Sequence, residues 1–281
     1  MSEAPRELQQ FKIEEPTPGY WRVVFSNPPL NLLNSTTVLE IDEVVRRLEE
    51  APNLRVVVFA SDHPDFFMAR YDLSDTNPVA FAPTASGVTL FIDSTLRMAS
   101  APPITIACVR GRTRGGGSEF ALACDLGFAS VEKAIFGQPE VGVGIVPAGG
   151  GIERLAELLG TARALEVIAG SDDFDAPTAE RYGWINRALP DDQLDPYVDR
   201  LARRLAAFDA QAVATAKRLV RRDASVSLAQ LRETLDAVRA LLGSPSSRTR
   251  RTALAKYAAT VGQDFELRMG HYLGSVPRAS D

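Results

Sequence analysis

The sequence predicts an α/β core followed by a mostly helical C-terminal region. In the first part of the 281-residue chain, short runs rich in valine and phenylalanine alternate with segments whose apolar residues recur every three or four positions. From about residue 200 only the helical spacing continues. Strands that alternate with helices are typical of an α/β core. We therefore expect a core over residues 1–200 and a helical region over residues 201–281.

Four apolar runs are predicted to be largely buried strands, because they are short and rich in β-branched or aromatic residues. They are Trp21–Phe25, Arg55–Ala60, Ile104–Val109 and Leu126–Ala129. The last strand signal along the chain is Trp184–Ala188. Since the strands are short and glycine-rich connections are frequent, a six-stranded Rossmann sheet fits this pattern poorly.

Helical periodicity predicts the elements between and after these strands, because a stripe of apolar residues buries one face of a helix. The predicted helices are Ser35–Glu50, Ser86–Ala99, Leu194–Phe208 and Leu228–Leu242. A turn is expected over Gly243–Ser247, where glycine, proline and serine follow one another.

Composition excludes several classes of function. Hydrophobic residues make up 45% and charged residues 24% of the chain, as is usual for globular proteins. The net charge of -5 argues against nucleic acid, whose binding proteins carry clustered positive charge. No apolar run approaches the roughly 20 residues that span a bilayer, and Met1–Glu15 lacks the apolar stretch of a signal peptide. We expect a cytoplasmic protein with no nucleic-acid or membrane partner.

Few side chains are available for metal or nucleophilic chemistry. Cys108 and Cys124 lie in apolar stretches and are predicted to be buried, reduced thiols. The two histidines, His63 and His271, form no Cys/His cluster with metal-ligand spacing. We therefore expect no metal site, and we expect carboxylates to carry any proton transfer.

The first candidate segment begins with Gly115, Gly116 and Gly117, which follow a predicted strand and precede a helical segment, Ser118–Cys124. Glycine lets the backbone approach a ligand closely, and a helix N-terminus presents free N–H groups to an oxyanion. Glu119 lies about one turn into this helix. It is either a catalytic carboxylate or a partner of the helix dipole.

Two other interpretations of these glycines fail on spacing. A dinucleotide-binding fingerprint would require glycine where Phe120 stands, and no Walker lysine follows. A serine-hydrolase elbow around Ser118 would need glycine at the same position and a usable histidine.

The second candidate segment is Phe136–Glu140, in which a proline precedes the glutamate and a glycine-rich stretch follows. A carboxylate on such a stiff, apolar loop is expected to be partly desolvated. Desolvation raises the pKa of a carboxyl toward values that are useful for proton transfer. The alternative is an ordinary solvated glutamate.

Together these segments resemble the motifs of the crotonase (enoyl-CoA hydratase/isomerase) superfamily. Gly115–Glu119 with Ala123–Leu126 is similar to its GGG-x-E and cysteine–aspartate signature. Phe136–Glu140 with Pro147–Leu155 is similar to its second motif, and Asn27–Asn34 looks like its asparagine–proline segment. The resemblance runs in order over roughly residues 20 to 200.

The resemblance implies a spiral of ββα turns with a helical C-terminal part that forms trimers, often paired into hexamers. It implies an acyl-CoA ligand whose carbonyl accepts hydrogen bonds from the backbone amides of Tyr71 and Gly116. Such donors stabilise an enolate without a metal, and no cofactor is implied because CoA is part of the substrate. Further acyl-CoA contacts are implied for Leu30, Ala69, Asp72, Leu73 and Gly115.

The family's hydratases hold a water between two glutamates, which match Glu119 and Glu140. Glu119 would activate the water for attack at the β carbon, and Glu140 would deliver a proton to the α carbon. Isomerases of the family typically keep only the second carboxylate. The resemblance therefore favours an enoyl-CoA hydratase, or the reverse dehydratase. Isomerisation, C–C cleavage or hydrolysis of an unusual acyl-CoA, and non-catalytic binding of acyl-CoA, remain open alternatives.

The chain departs from the family's pattern in three places. Where the family usually has Ala-Gly-Ala-Asp-Leu, Ala69–Leu73 reads Ala-Arg-Tyr-Asp-Leu. Arg112 and Arg114 replace residues that are usually apolar or alanine, and they either form salt bridges or contact a CoA phosphate or an acidic acyl group. Arg251–His271 lacks the residues with which the family's sequences usually end. The family's trimer contacts and its contacts with the adenine of CoA are therefore the features least transferable to this chain.

Overall fold

The computed structural model describes residues 6–222 and 226–276. The start of the polar N-terminal segment and the outer ends of both predicted regions lie outside these residues. The strands are β1 (Phe11–Thr17), β2 (Tyr20–Phe25), β3 (Val56–Ser61), β4 (Phe66–Met68), β5 (Ile104–Val109), β6 (Arg112–Arg114), β7 (Leu126–Ser130), β8 (Ile135–Gly137), β9 (Asp173–Asp175) and β10 (Arg187–Leu189).

Helices follow most pairs of strands and make up the C-terminal part. They are α1 (Ser35–Glu50), α2 (Leu90–Ser100), α3 (Gly116–Ala123), α4 (Gly151–Leu159), α5 (Thr161–Gly170), α6 (Ala176–Tyr182), α7 (Asp191–Ala206), α8 (Ala210–Val220), α9 (Leu228–Gly243), α10 (Pro245–Val261), α11 (Asp264–Leu267) and α12 (Met269–Ser275). Among the described residues, no helix has both the length and the apolar character needed to cross a bilayer.

The strands form two sheets that the chain visits in turn. One has the order β1-β2-β3-β5-β7-β10 and the other β4-β6-β8-β9. All neighbours are parallel except β1 with β2 and β8 with β9. The pairs β3–β4, β5–β6 and β7–β8 each place one strand in each sheet, and α2, α3 and α4 follow them. The chain therefore winds in ββα turns, which confirms the predicted α/β class and its repeat.

Both faces of the six-stranded sheet are covered. In β3, Val57 and Phe59 belong to the main core. Val56 and Val58 point to the other face, as alternation along a strand requires, and belong to a second core with Leu194 of α7. Burial on both faces explains why the central strands read as continuous apolar runs.

The C-terminal helices pack on the core and on one another. Leu231 and Leu235 of α9 lie in one apolar cluster with Ile92 of α2, and α10 to α12 share a cluster that includes Leu254 and Phe265. No strand follows β10 in residues 190–222 or 226–276. The helical character of this region is confirmed, whereas the boundary at residue 200 stays a prediction because α7 spans it.

The helix predicted over Ser86–Ala99 begins only at Leu90. Gly87 has a φ of +78°, and the amide N–H of Thr84 donates to the carbonyl oxygen of Val88 at 2.8 Å. These features keep the segment before α2 in a tight turn. The prediction included Val88 because its apolar side chain fits the helical spacing. Val88 is apolar because it is fully buried in the core, although it lies before the helix.

Other boundaries also differ from the prediction, among them that of α7, which spans Asp191–Ala206 and not Leu194–Phe208. The turn expected over Gly243–Ser247 reduces to Ser244, because Pro245 already begins α10. Proline is favoured at the first helical position, and the Ser244 hydroxyl caps the helix by accepting a hydrogen bond from the amide of Ser247 at 3.2 Å. The strand expected over Trp184–Ala188 starts later, as β10, where parallel pairing with β7 begins.

Candidate active site

The N-terminus of α3 lies directly against β4. Gly115, which precedes the helix, has a φ of +50°, a conformation that favours glycine. A Cβ atom on Gly117 would lie only 1.9 Å from the carbonyl oxygen of Met68. Glycine at this position therefore brings the first turn of α3 next to the residues that follow β4.

Glu119 is a buried carboxylate in the first turn of α3. Its Oε1 accepts hydrogen bonds from the amide N–H groups of Gly149 at 2.6 Å and Gly151 at 2.9 Å. Burial raises the pKa of Glu119 to about 7, although these two hydrogen bonds oppose the shift. A carboxyl group with a pKa near neutrality is suited to accept and release a proton.

Glu140 follows β8 and precedes the 3-10 turn Val141–Val143. A Cβ atom on Gly115 would lie 2.5 Å from the Oε1 atom of Glu140, so this carboxyl lies against the start of α3. Its Oε2 is buried and has no hydrogen-bond partner within the described ranges. Burial, and then the charge of Glu119, raise the pKa of Glu140 well above its ordinary value. The two glutamates therefore share one site.

The backbone of Tyr71 pairs with that of Leu33. Leu33 forms an isolated parallel bridge with Tyr71, which turns the N–H of Tyr71 toward the opposite side. Two residues earlier in the chain, the carbonyl oxygen of Ala69 accepts a hydrogen bond from the amide N–H of Arg114 at 3.0 Å. Gly116 is the first residue of α3, so its N–H has no acceptor within the helix. No described residue accepts a hydrogen bond from either amide, as an oxyanion hole requires.

The side chain of Tyr71 is bound elsewhere. Its hydroxyl donates to Oδ2 of Asp75 at 3.2 Å, the oxygen that also accepts from the amide and the hydroxyl of Ser35. The ring packs edge-on against Phe81, with centroids 5.5 Å apart. Burial raises the pKa of Tyr71 to about 12, so the phenol stays neutral. The side chain of Tyr71 is thus engaged with protein groups, whereas its backbone amide has no described acceptor.

The other predicted contact residues differ in their surroundings. Ala69 is buried, and the carboxylate of Asp72 accepts hydrogen bonds from the amide and hydroxyl of Ser74 at 2.9 and 2.7 Å. Leu30 is half-buried, and Leu73 is 57% exposed. Leu30 and Leu73 therefore retain apolar surface for a ligand, whereas the Asp72 side chain is engaged with its neighbour.

Three residues of the site were missed in the sequence. The amides of Gly149 and Gly151 hold Glu119, and the buried Arg154 donates to the carbonyl oxygen of Gly149 at 3.1 Å. A Cβ atom on Gly149 would also lie 2.7 Å from Cε1 of Phe91 on α2. The run of three glycines before α4 was the signal for this loop, but nothing in the sequence pairs it with Glu119.

The two arginines that precede the glycines bind protein groups. Arg114 is 1% exposed, and its Nε and Nη2 atoms bind the two carboxylate oxygens of Asp173 at 2.6 and 2.8 Å. Arg112 donates from Nε to the carbonyl oxygen of Leu267 at 2.9 Å. Of the two interpretations left open by the sequence, the structure thus favours internal contacts over contacts with a ligand.

Comparison with known proteins gives one consistent picture. Residues 18–267 match the family model described as enoyl-CoA hydratase/isomerase. The fold is similar to the crystal structure of a Streptomyces avermitilis protein that carries the provisional name enoyl-CoA hydratase. The two chains superpose with a TM-score of 0.90 and are 35% identical in sequence. The match covers 98% of this chain and 100% of the other.

Two curated relatives are named for specific substrates. One is the crotonyl-CoA hydratase of Syntrophomonas wolfei, to which the chain is 32% identical over 199 residues. The aligned segment covers 69% of this chain and 75% of that protein. The other is the short-chain-enoyl-CoA hydratase of Clostridium acetobutylicum, to which the chain is 32% identical over 206 residues. That alignment covers 73% of this chain and 78% of the relative.

Proposed function

Since the chain belongs to the enoyl-CoA hydratase/isomerase family, we propose that it adds water across the 2,3 double bond of an acyl-CoA thioester, or catalyses the reverse dehydration. The observation that carries this proposal is the pair of carboxyl groups of Glu119 and Glu140, which share one site and both have raised pKa values. Isomerases of the family typically keep only the second carboxylate, so the pair favours hydration.

In the proposed mechanism, the thioester carbonyl lies between the N–H groups of Tyr71 and Gly116. These donors stabilise the enolate oxygen that develops as water adds to the β carbon. Ionised Glu119 takes a proton from the attacking water, and neutral Glu140 gives its proton to the α carbon. One hydrogen and one hydroxyl are added, and a proton returns from Glu119 to Glu140 through solvent before the next turnover.

The surroundings of the two carboxyls favour this assignment of acid and base. Two amide N–H groups donate to Glu119 and therefore stabilise its ionised form. Glu140 has an oxygen with no donor among the described residues, and the nearby negative charge of Glu119 opposes its ionisation. Glu119 is thus the first of the pair to lose its proton as the pH rises.

The pH dependence of kcat/KM for crotonyl-CoA should have an acid limb near pH 7. Glu119 has a pKa of about 7 and must be ionised, so activity falls as the pH drops below that value. At higher pH, activity should persist until Glu140 loses its proton. Steady-state rates from about pH 5 to pH 9 measure this profile. A profile that stays flat down to pH 5 would contradict the role of Glu119.

Tyr71→Phe and Tyr71→Ala should both keep turnover of crotonyl-CoA within a few-fold, because the backbone amide survives either change. The alanine variant should also gain activity on longer or branched enoyl thioesters, since removal of the ring opens space against Phe81 next to one of the two proposed oxyanion amides. Steady-state kinetics on a panel of enoyl-CoA substrates measures both effects. Equal losses of about 100-fold in the two variants, the size expected for a missing transition-state donor, would show that the phenol takes part instead.

The direct test of the activity is the absorbance of the enoyl thioester band when purified protein meets crotonyl-CoA. We expect the band to disappear as the 3-hydroxyacyl product forms. If neither crotonyl-CoA nor any other enoyl-CoA in a panel loses this band, the alternative of a non-catalytic acyl-CoA-binding protein is favoured instead.

We expect the protein to form a trimer or a hexamer. The C-terminal region exposes apolar side chains that its own core does not cover, including Leu219 at 47% and Val220 at 80% exposure, and the resemblance implies trimers. Light scattering measures the mass in solution. A stable monomer at micromolar concentration would contradict this expectation.

We also propose a cytoplasmic setting, in which acyl-CoA is the ligand and no cofactor or nucleic acid takes part. The two cysteines, Cys108 and Cys124, are buried and unpaired. Reduced thiols of this kind are common in a reducing compartment, and their burial raises the pKa of Cys108 to about 12, which makes this thiol unreactive. The burial of both thiols without a disulfide is what supports the location.

A further inference from the structure

The three arginines that depart from the family's pattern converge on one short C-terminal segment, α11. Arg70 directly precedes one of the two proposed oxyanion residues. Arg112 and Arg114 lie in β6, which leads into the other. All three guanidinium groups bind residues of α11. The segments that supply the two proposed oxyanion amides, those of Tyr71 and Gly116, are therefore both hydrogen-bonded to the same helix through these arginines.

Arg70 joins the backbone of Tyr71 to Glu266 of α11. Its Nη1 donates to the carbonyl oxygen of Tyr71 at 3.0 Å. Its Nε donates to Oε2 of Glu266 at 3.2 Å, and its Nη2 forms an ion pair with Oε1. The Glu266 side chain is 11% exposed, so solvent screens this pair weakly. Because a guanidinium is a rigid planar fork, it couples the position of the Tyr71 backbone to that of Glu266.

Arg114 and Arg112 bind the same helix from β6. The Nη1 of Arg114 donates to the carbonyl oxygen of Glu266 at 2.7 Å, and its Nη2 donates to that of Leu267 at 3.3 Å. Asp173 holds the other side of the Arg114 guanidinium, and Arg112 binds the carbonyl oxygen of Leu267. The last carbonyl groups of α11 are thus tied to the strand that runs into the three glycines.

We propose that Arg70 and Glu266 are positioning residues and that α11 holds the two oxyanion donors at the correct separation. The proposal rests on the proposed function, because that function defines the oxyanion hole. It accounts for three departures at once, since the arginines and the unusual C-terminal segment are partners. A donor misplaced by about 1 Å can cost roughly 100-fold in rate, whereas CoA binding elsewhere should not change.

Kinetics give the first test. Glu266→Gln and Arg70→Met should each lower kcat for crotonyl-CoA by about 10-fold, as expected for a partial displacement, and should leave KM within about 2-fold. The double variant should lose little more than either single one, because the two residues act as one unit. Arg70→Lys, which keeps the charge but not the planar fork, should lose activity without losing the fold.

The matched control is Asp264→Asn, which removes one negative charge from the same helix. Asp264 binds Tyr272 and Arg268, and among the described residues its side chain has no hydrogen bond or ion pair with Arg70 or with β6. This variant should keep the kcat of the wild type. An equal fall in kcat for Asp264→Asn and Glu266→Gln would mean that α11 contributes only general stability, and would overturn the proposal.

A spectroscopic test separates this proposal from the hydratase activity. Butyryl-CoA labelled with carbon-13 at the thioester carbonyl is saturated and cannot be hydrated, so its infrared carbonyl band reports the hydrogen bonds of the hole without turnover. Binding to the wild type should lower the band frequency. In Glu266→Gln and Arg70→Met the band should move back toward that of free ligand, and in Asp264→Asn it should stay.

The outcomes of the two experiments are independent. A band that is the same in the wild type, Glu266→Gln and Arg70→Met would overturn the positioning role, and so would a wild-type band that does not shift on binding. A wild type that shifts the band but fails to hydrate any enoyl-CoA would refute the proposed activity while leaving the positioning role supported.

Discussion

Glu119→Gln and Glu140→Gln should each lower hydratase turnover by roughly 100-fold or more, because each change removes a general acid or base. Glutamine has nearly the shape of glutamate, and its carbonyl oxygen still accepts the amide hydrogen bonds that hold position 119. Binding of acyl-CoA should therefore survive. The measurements are kcat with crotonyl-CoA and the affinity for butyryl-CoA.

A buried glutamate outside the site provides the control for these two variants. Glu43 on α1 is buried and binds Arg46 and Arg47, so Glu43→Gln removes a buried charge without touching the catalytic groups. Its turnover should equal that of the wild type. Full turnover in either Glu119→Gln or Glu140→Gln would show that the two-glutamate mechanism is wrong.

Gly117→Ala should abolish most of the activity even though residue 117 has no chemical role. The new Cβ atom would lie 1.9 Å from the carbonyl oxygen of Met68. The start of α3 would have to move by about 1 Å or more, and a displacement of this size costs roughly 100-fold in rate when it affects catalytic groups. Overpacking should also lower the free energy of unfolding by about 1–3 kcal/mol. Steady-state kinetics and thermal unfolding measure the two effects.

Gly170→Ala is the matched control for Gly117→Ala. Gly170 ends α5, and a Cβ atom there would meet nothing within 4 Å. Alanine favours helices more than glycine by up to about 1 kcal/mol, so this variant should be at least as stable as the wild type and fully active. If Gly117→Ala keeps wild-type turnover, the close packing of α3 on β4 does not position the site.

The long apolar elements could be predicted from the sequence because their signal is local. The strand Ile104–Val109 and the helix Ser35–Glu50 appear in the structure with the predicted bounds. In contrast, β6 has three residues, of which two are arginines, and no periodicity can reveal so short a strand. Arg114 can be buried because residues 173, 266 and 267 bind its guanidinium, and such long-range pairing cannot be read from local sequence.

The sequence predicted the catalytic carboxylates of the candidate site but not the residues that hold the site residues in place. Glu119 and Glu140 stand in motifs that a resemblance can identify, and the structure brings them together at the start of α3. The direction of the Tyr71 ring depends on Asp75, which no motif marks. The amide of Gly149 holds Glu119 across 30 positions of sequence. Contacts of this kind follow from the packing of loops, which motifs do not describe.

The most direct test of the central claim is to incubate the protein with crotonyl-CoA in oxygen-18 water and to analyse the products by mass spectrometry. If Glu119 and Glu140 add water across the double bond, the product is 3-hydroxybutyryl-CoA that carries one oxygen-18 atom at the β carbon. Glu119→Gln and Glu140→Gln should form this product far more slowly. Unlabelled isomer, labelled free acid or unchanged crotonyl-CoA would instead indicate isomerisation, thioester hydrolysis or binding alone, and would contradict the account.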